Sequence, residues 1–246
     1  AKIKFFVLDR VNPIGGKLFE GPLLDGKRTF TGYHEIPVRH GMTTGELARL
    51  FQQERFSSLD LTIVPVGNWH RGQIFSDTGL RWVNPSPNIR NLKAAILYPG
   101  VGLLEFTNLS VGRGTDRPFE LVGAPYINAK ELTAALKRAH LAGVAFMPAS
   151  FTPSTSKFKG QACGGTHIRL VNPHARTVDL GITLALALRK LYPKQWDVTN
   201  LDKLLVHPAS AKAILAGSSL AEIRASWQDG LAAFARRRSR ALIYRD

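Results

Sequence analysis

The stretch "IKFFVLD", Ile3 to Asp9, decides the fold. It is a continuous apolar run closed by a carboxylate, the pattern of a strand covered on both faces, and such strands belong to parallel sheets. The glycine- and proline-rich "RVNPIGG" follows, then a polar, hairpin-like excursion through "RTFTGYHEIPVRHG". Thr43 and Glu46 make a capping box that opens a helix, with Leu47, Leu50 and Phe51 on its apolar face. "LDLTIVPV", Leu59 to Val66, reads as a second buried strand. Strand, connection, helix and strand are the grammar of a parallel α/β unit. Ligands gather at the carboxyl ends of such strands. Here those ends carry Asp9, Arg10 and Asn12, and the segment "GNWHRGQ" with Trp69, His70 and Arg71.

From about Gly67 onward the character changes. "WVNPSPNIRN" holds two X-Pro bonds and reads as an extended connector, with Asn91 capping the helix after it. Pro99-Gly100 is expected to interrupt that helix. Asn128 and Glu131 cap another, with Leu132, Ala135, Leu136 and Ala139 inward. "TSKFKGQACGGTHIRLVN" reads as a strand with a glycine kink, and "VDLGITLALALRKLYP" as a mostly buried helix.

Composition narrows the function classes. Charged residues are 21% of the chain and hydrophobic ones 44%, so disorder is not expected. No apolar run reaches the roughly 18 residues of a membrane span. The net charge of +15 suits polyanionic partners such as nucleic acid or an acidic wall polymer. The one dense basic cluster, "ARRRSR" at Ala235–Arg240, ends an amphipathic stretch carrying Leu220, Ile223, Trp227, Leu231 and Phe234, where cations suit the helix dipole. No H-E-x-x-H, C-x-x-C, G-x-S-x-G, Walker or dinucleotide-binding loop occurs. Cys163, the single cysteine, sits beside glycines with no local base and reads as packing.

What remains is a set of carboxylates and arginines flanked by aromatics: Asp9, Glu105, Asp116 and Glu120, with Arg10, Arg71, Arg113 and Arg117, near Trp69, Trp82 and Tyr98. Paired carboxyls and aromatic platforms are the tools of glycoside chemistry. Arginine suits recognition of a ligand carboxylate. The segment "TNLSVGRGTDRPFE", Thr107–Glu120, concentrates these residue types and reads either as a solvated loop or as a site where glycines let the backbone approach a ligand and the charged groups converge on it.

The blocks "FFVLDRVNPIGG", "EGPLL", "IPVRHGMTTGELA", "PSPNI", "YPGVGLLEFTNLSVGRGTDRPFELVGAP" and "SKFKGQACGG" occur in this order along essentially the whole chain. Together they closely resemble the exo-β-N-acetylmuramidases of the NamZ type. The resemblance implies an α/β fold: residues 1–66 as the C-terminal part of a Rossmann-like parallel-sheet domain, and 67–246 as a smaller α/β domain forming the other wall of a cleft. It implies a glycoside hydrolase that releases N-acetylmuramic acid from non-reducing ends of peptidoglycan fragments, with no cofactor and no metal. Glu105 and Glu120 are its catalytic candidates. Asp9, Arg10, Asn12, His40, Trp69, Arg71, Asn108, Arg113 and Arg117 are its substrate-binding candidates. The resemblance makes Thr107–Glu120 a cleft wall, with Gly112 and Gly114 giving backbone access and Arg113 and Glu120 facing substrate. The lactyl carboxylate of muramic acid would pair with Arg113, Arg117 or Arg10. The family's Gly-Pro-Glu-His-Gly and Asp-Ile-Gln-Asp motifs do not occur here. The chain therefore resembles the family's C-terminal portion, with a partner glutamate expected upstream. The implied partners are peptidoglycan-derived sugars or muropeptides, not nucleic acid, and the implied location is periplasmic or extracellular. The alternatives are a catalytically silent carbohydrate-binding relative, or a basic protein that binds anionic polymers.

Overall fold

The computed structural model describes residues 3–246. Strand β1 (Phe5–Leu8) pairs in parallel with β4 (Leu61–Val64), in the register Phe5↔Leu61 to Leu8↔Val64. Helix α1 (Thr44–Arg55) crosses between them. It starts where the capping box predicts: Thr43 Oγ1 accepts from the Glu46 N–H and Glu46 Oε2 accepts from the Thr43 N–H. Asp9, at the end of β1, places its carboxylate on the same helix terminus, accepting from Thr43 Oγ1 and the Gly45 N–H at 2.7 Å each. An anion there complements the free N–H groups and the helix dipole.

The hairpin excursion is present, but its strands are β2 (Glu20–Leu23) and β3 (Pro37–Arg39), with the polar stretch as the loop between them. Helix α2 (Leu92–Val101) starts at Asn91, whose Oδ1 accepts from the Ala94 N–H, and runs through Pro99. This corrects the expected interruption. Gly100 is where α2 meets α4 (Thr177–Leu191): a methyl group on Gly100 would stand 1.7 Å from the Thr177 carbonyl oxygen. The glycine serves close helix packing rather than a break.

The remaining core is a three-stranded antiparallel sheet ordered β5 (Leu121–Ala124), β7 (Cys163–Leu170), β6 (Val144–Phe151). Helices α2, α4 and α3 (Ala129–Arg138) pack with it through Leu97, Leu132, Leu136, Ile168 and Leu184. Cys163 is buried at the start of β7, and burial pushes its thiol up, away from nucleophilic reactivity. Helices α5 (Asp202–Leu205), α6 (Pro208–Ala216), α7 (Leu220–Ala225) and α8 (Gln228–Ser239) complete the chain. The amphipathic stretch ending in "ARRRSR" is thus two helices, broken at Ser226–Trp227.

The basic cluster is a clamp. Arg237 forks onto Glu54 with two 2.7 Å bonds, and Arg238 is buried against the carbonyls of Gly16 and Gly41. The chain then returns to the first sheet. The Ile243 N–H donates to Glu46 Oε1 at 3.0 Å, the Tyr244 hydroxyl to Asp9, and Arg71 N–H to the Arg245 carbonyl at 3.0 Å. These bonds tie the last part of the sequence to the first.

The β1–β4 pair is covered on one side only among the described residues. Val7 is buried under α1, but Phe6 and Leu8 on the other face are 60% and 72% exposed. The expectation of a strand covered on both faces is corrected to that extent. Such a face binds hydrophobic dyes and favours self-association. Leu8→Lys should lower both, while changing stability by no more than about 0.5 kcal/mol, as expected of a surface site. Unchanged dye fluorescence and sedimentation in that variant would show that this face is not the sticky one.

Candidate active site

A cavity of about 560 Å³ opens between the β2–β3 hairpin, the loop after β1, and helices α2 and α5. Its size is that of a small-molecule site. Distant parts of the sequence meet on it, among them Asn12–Ile14, Ile36–Gly41, the connector residues Pro85 and Ile89, Tyr98–Leu103 around α2, and Leu204–Val206. Most walls are apolar, with Pro13, Ile14, Leu24, Val38, Pro99 and Leu103 among them. The polar groups are concentrated in Asn12, His34, Arg39 and His40.

Each of these is fixed by the backbone around it. Asn12 turns its own loop by accepting from the Ile14 N–H at 3.1 Å, and ties it to the next by donating to the Met42 carbonyl at 2.9 Å. His40 Nδ1 accepts from the Met42 N–H at 3.1 Å, so the ring proton resides on Nε2. Protein packs around the ring while one part of it stays on the cavity. This enclosure, with the Arg238 and Arg39 guanidinium groups nearby, pulls its pKa down to about 4. Arg39 is buried and spent on the framework. It donates to the carbonyls of Ala175 and Ile14 at 3.0 and 2.8 Å, and lies 3.4 Å from Glu20. His34 is held by Glu54 at 2.6 Å, and Glu54 in turn by Arg237, whose guanidinium keeps that carboxyl below its usual range.

A smaller cavity of about 260 Å³ is lined by Glu105, Arg113, Ser156 and Lys157, among others. Arg113 Nε donates to Glu105 at 2.6 Å and its guanidinium lies over the Phe119 ring. Phe119 holds a left-handed φ of 66° and meets Tyr98 edge-on, with ring centroids 4.9 Å apart. That conformation costs an aromatic residue about 1–3 kcal/mol and is retained where surrounding contacts enforce it. Tyr98 also lines the larger cavity. Burial, then the Glu105 charge, pushes its hydroxyl up. Tyr98, Phe119, Arg113 and Glu105 thus form a continuous row between the two cavities. Lys157 donates to the Glu105 and Thr107 carbonyls, and burial pulls its pKa down.

The nominated residues separate into distinct settings. Asn12 and His40 meet on the larger cavity, Glu105 and Arg113 on the smaller. Glu120 lines neither. It is buried, accepting from Asn91 Nδ2 at 3.2 Å beside the N-terminus of α2. Asp9 is occupied at the start of α1, and Trp69 is buried edge-on to Tyr244. Arg71 is buried on Glu46 and the carbonyls of Gly16 and Gly41. Asn108 bridges to the Gln195 carbonyl and the Asp197 N–H. Arg10 and Arg117 are exposed, the latter 3.5 Å from Asp116.

Gly112 and Gly114 also differ from expectation. Side chains there would strike the Arg117 and Leu121 carbonyls and the Thr155 backbone, so both glycines admit the protein's own chain rather than a ligand. Glu46, whose cap explains it locally, has a second role as the buried counter-ion of Arg71. No local pattern marks His34, because its partners Glu54 and Arg237 are distant in sequence. Among the described residues no group of three or more His, Cys, Asp or Glu side chains is placed to hold a metal ion.

The family model described as exo-beta-N-acetylmuramidase NamZ, C-terminal, matches residues 96–244, and its N-terminal counterpart matches residues 1–93. The peptidoglycan beta-N-acetylmuramidase NamZ of Bacillus subtilis (strain 168) is 41% identical over 247 residues, covering 98% of this chain and 60% of that protein. Two crystal structures of DUF1343 family proteins from Bacteroides fragilis NCTC 9343 share the fold. One has a TM-score of 0.90 at 29% identity, covering 98% of this chain and 66% of its own; the other has 0.76 at 28%, covering 99% and 67%. The chain spans about three fifths of the length of the curated relative. With the two family models together matching residues 1–93 and 96–244, the chain belongs to the exo-β-N-acetylmuramidase NamZ family.

Proposed function

We propose that the chain carries the sugar-binding wall of an exo-acting β-N-acetylmuramidase, a glycoside hydrolase releasing N-acetylmuramic acid from the non-reducing ends of peptidoglycan fragments. The observation that carries this reading is the convergence of distant segments on one cavity, apolar-walled with a polar corner. A sugar bearing N-acetyl and lactyl methyl groups presents apolar patches as well as acceptors, and such a cavity suits both. The substrate derives from the cell wall, which supports a periplasmic or extracellular location.

Glycoside hydrolysis needs two carboxyls, one to protonate the leaving oxygen and one to stabilise or attack the anomeric carbon. Among the described residues no Asp or Glu lines the larger cavity. The carboxyls must therefore reach the sugar from beyond these walls. Of the two nominated, Glu105 is connected to the cavity by the Tyr98–Phe119–Arg113 row. The lack of a lining carboxylate favours a second reading, a carbohydrate-binding protein without turnover.

The two readings separate in one experiment. The chain is mixed with a chromogenic N-acetylmuramic acid β-glycoside and, as a control, with the N-acetylglucosaminide, while binding is followed calorimetrically. Binding with chromophore release from the muramic acid glycoside supports the hydrolase. Binding alone supports the silent relative, and no binding of either sugar refutes both. Where turnover is seen, Glu105→Gln should lower kcat about a hundredfold, the lower end of acid–base catalysis. A raised KM at unchanged kcat would make Glu105 a binding residue instead.

A further inference from the structure

The polar corner of the larger cavity has a charge imbalance that singles out one residue. Three buried arginines lie in or behind it, Arg39 on the cavity and Arg71 and Arg238 on the Gly41 carbonyl, and two have a carboxylate partner: Arg39 has Glu20 and Arg71 has Glu46. Arg238 faces the carbonyls of Gly16 and Gly41 and the Phe19 ring, and among the described residues no carboxylate pairs with it. Only the more distant Glu46 and Asp246 carboxylates act on it, so its charge is the least directly compensated of the three. His40 directly precedes Gly41, whose carbonyl both Arg71 and Arg238 hold. Its Nδ1 is engaged by the Met42 N–H, and among the described residues Nε2 has no hydrogen-bond partner. His40 lines the cavity. What the cavity receives is a fixed N–H donor with no acceptor capacity, set in a positive field.

We propose that His40 is a specificity-determining residue that donates its Nε2–H to the carboxylate of the bound sugar, the group distinguishing N-acetylmuramic acid from N-acetylglucosamine. This rests on the muramidase reading of the cavity and names the group it recognises there. An acceptor-only, anionic group matches a donor that cannot accept, and the Arg238 charge behind the ring favours a carboxylate over a hydroxyl or amide oxygen. It moves the lactyl assignment from Arg113, which is already paired with Glu105 at 2.6 Å, to a residue with a free donor. The ring remains neutral near pH 7 because enclosure and its cationic neighbours oppose protonation. The interaction is thus a hydrogen bond in a positive field rather than an ion pair.

Two substitutions separate the donor from the local framework. Asn at this position keeps an acceptor near the Nδ1 site for the Met42 N–H but has no donor reaching the cavity. Gln places an N–H donor near the Nε2 site. The wild-type chain, His40→Asn and His40→Gln are titrated calorimetrically with N-acetylmuramic acid and with N-acetylglucosamine. The wild type should prefer the muramic sugar. His40→Asn should lose about ten- to hundredfold in affinity for it, the scale of a hydrogen bond to a charged group, with glucosamine affinity within about threefold. His40→Gln should keep most of the preference. Equal losses for both sugars, or an unchanged preference in His40→Asn, would overturn the assignment. Failure of the wild type to bind either sugar overturns the muramidase reading, and with it the ligand named here. The donor is then decided on its own by the ¹⁵N spectrum of the His40 ring, where a proton on Nδ1 at pH 7 would overturn it.

Discussion

Glu46→Gln is expected to lower the stability of the chain by about 3–5 kcal/mol, the scale of removing one partner from a buried ion pair. Glutamine at the third helical position still completes a capping box, so the start of α1 is retained. Its single carbonyl oxygen, kept on the Thr43 N–H, no longer serves the Ile243 N–H, which loses its acceptor. Also lost is the negative charge facing Arg71, whose guanidinium would remain buried with only the carbonyls of Gly16 and Gly41 for company. A domain of ordinary stability holds only about 5–15 kcal/mol in reserve. Urea denaturation of the single variant, and of Glu46→Gln with Arg71→Met, checks the origin of the loss. The double variant removes the unpaired charge and should recover a large part of it, as an apolar replacement of a buried pair does. A loss below about 1 kcal/mol in the single variant would mean that water reaches Arg71. The site feels this pair as well, because the Gly41 carbonyl that Arg71 holds is the next residue's after His40.

The sequence reveals elements whose signals are local. Thr43 and Glu46 are three residues apart, Asn91 and Asn128 cap the helices they precede, and the parallel pairing of β1 with β4 follows from two apolar runs flanking an amphipathic helix. Elements whose cause is tertiary were hidden. β6 carries Pro148 and reads poorly as a strand, but in the order β5–β7–β6 it is an edge, where a missing N–H is tolerated. Pro99 stays helical although it withholds an N–H from the Ala95 carbonyl, and Gly100 beside it holds that turn against α4. Of the site, motif quotation marked Asn12 and His40 but not the reason they meet. Arg71 and Asp9 looked equally site-like at strand ends, and only their partners in the C-terminal tail, Arg245 and Tyr244, show that the tail occupies that position. No pattern within a window of residues encodes such contacts between the chain's two ends.

Stability is expected to fall as pH drops from about 6.5 to 4, and His40 should account for the largest single share. Its folded pKa of about 4 lies below the 6.5 of an unperturbed ring. In that window the unfolded chain binds a proton that the folded chain refuses, so acidification favours unfolding. The difference is worth about 3 kcal/mol when complete, an upper figure because the cavity side of the ring keeps some contact with solvent. His167 and His207 are pulled down by burial and act in the same direction. Glu20, pushed up by burial, acts the other way, since its folded form takes a proton before the unfolded one does. Glu35, held at about 2 by Arg28 first and Arg55, and Glu54, held down by Arg237, lose stabilisation only below about 4.5. The range from pH 6.5 to 4.5 is therefore free of those two carboxylates, and denaturation midpoints across it compare the wild type with His40→Gln. The variant should show a shallower decline, by about 2–3 kcal/mol over the range, whatever its stability at pH 7. Parallel declines would show that the ring protonates as freely in the folded chain as in the unfolded one. The donor facing the cavity would then carry a charge at mildly acidic pH, and carboxylate recognition there would strengthen on acidification rather than stay constant.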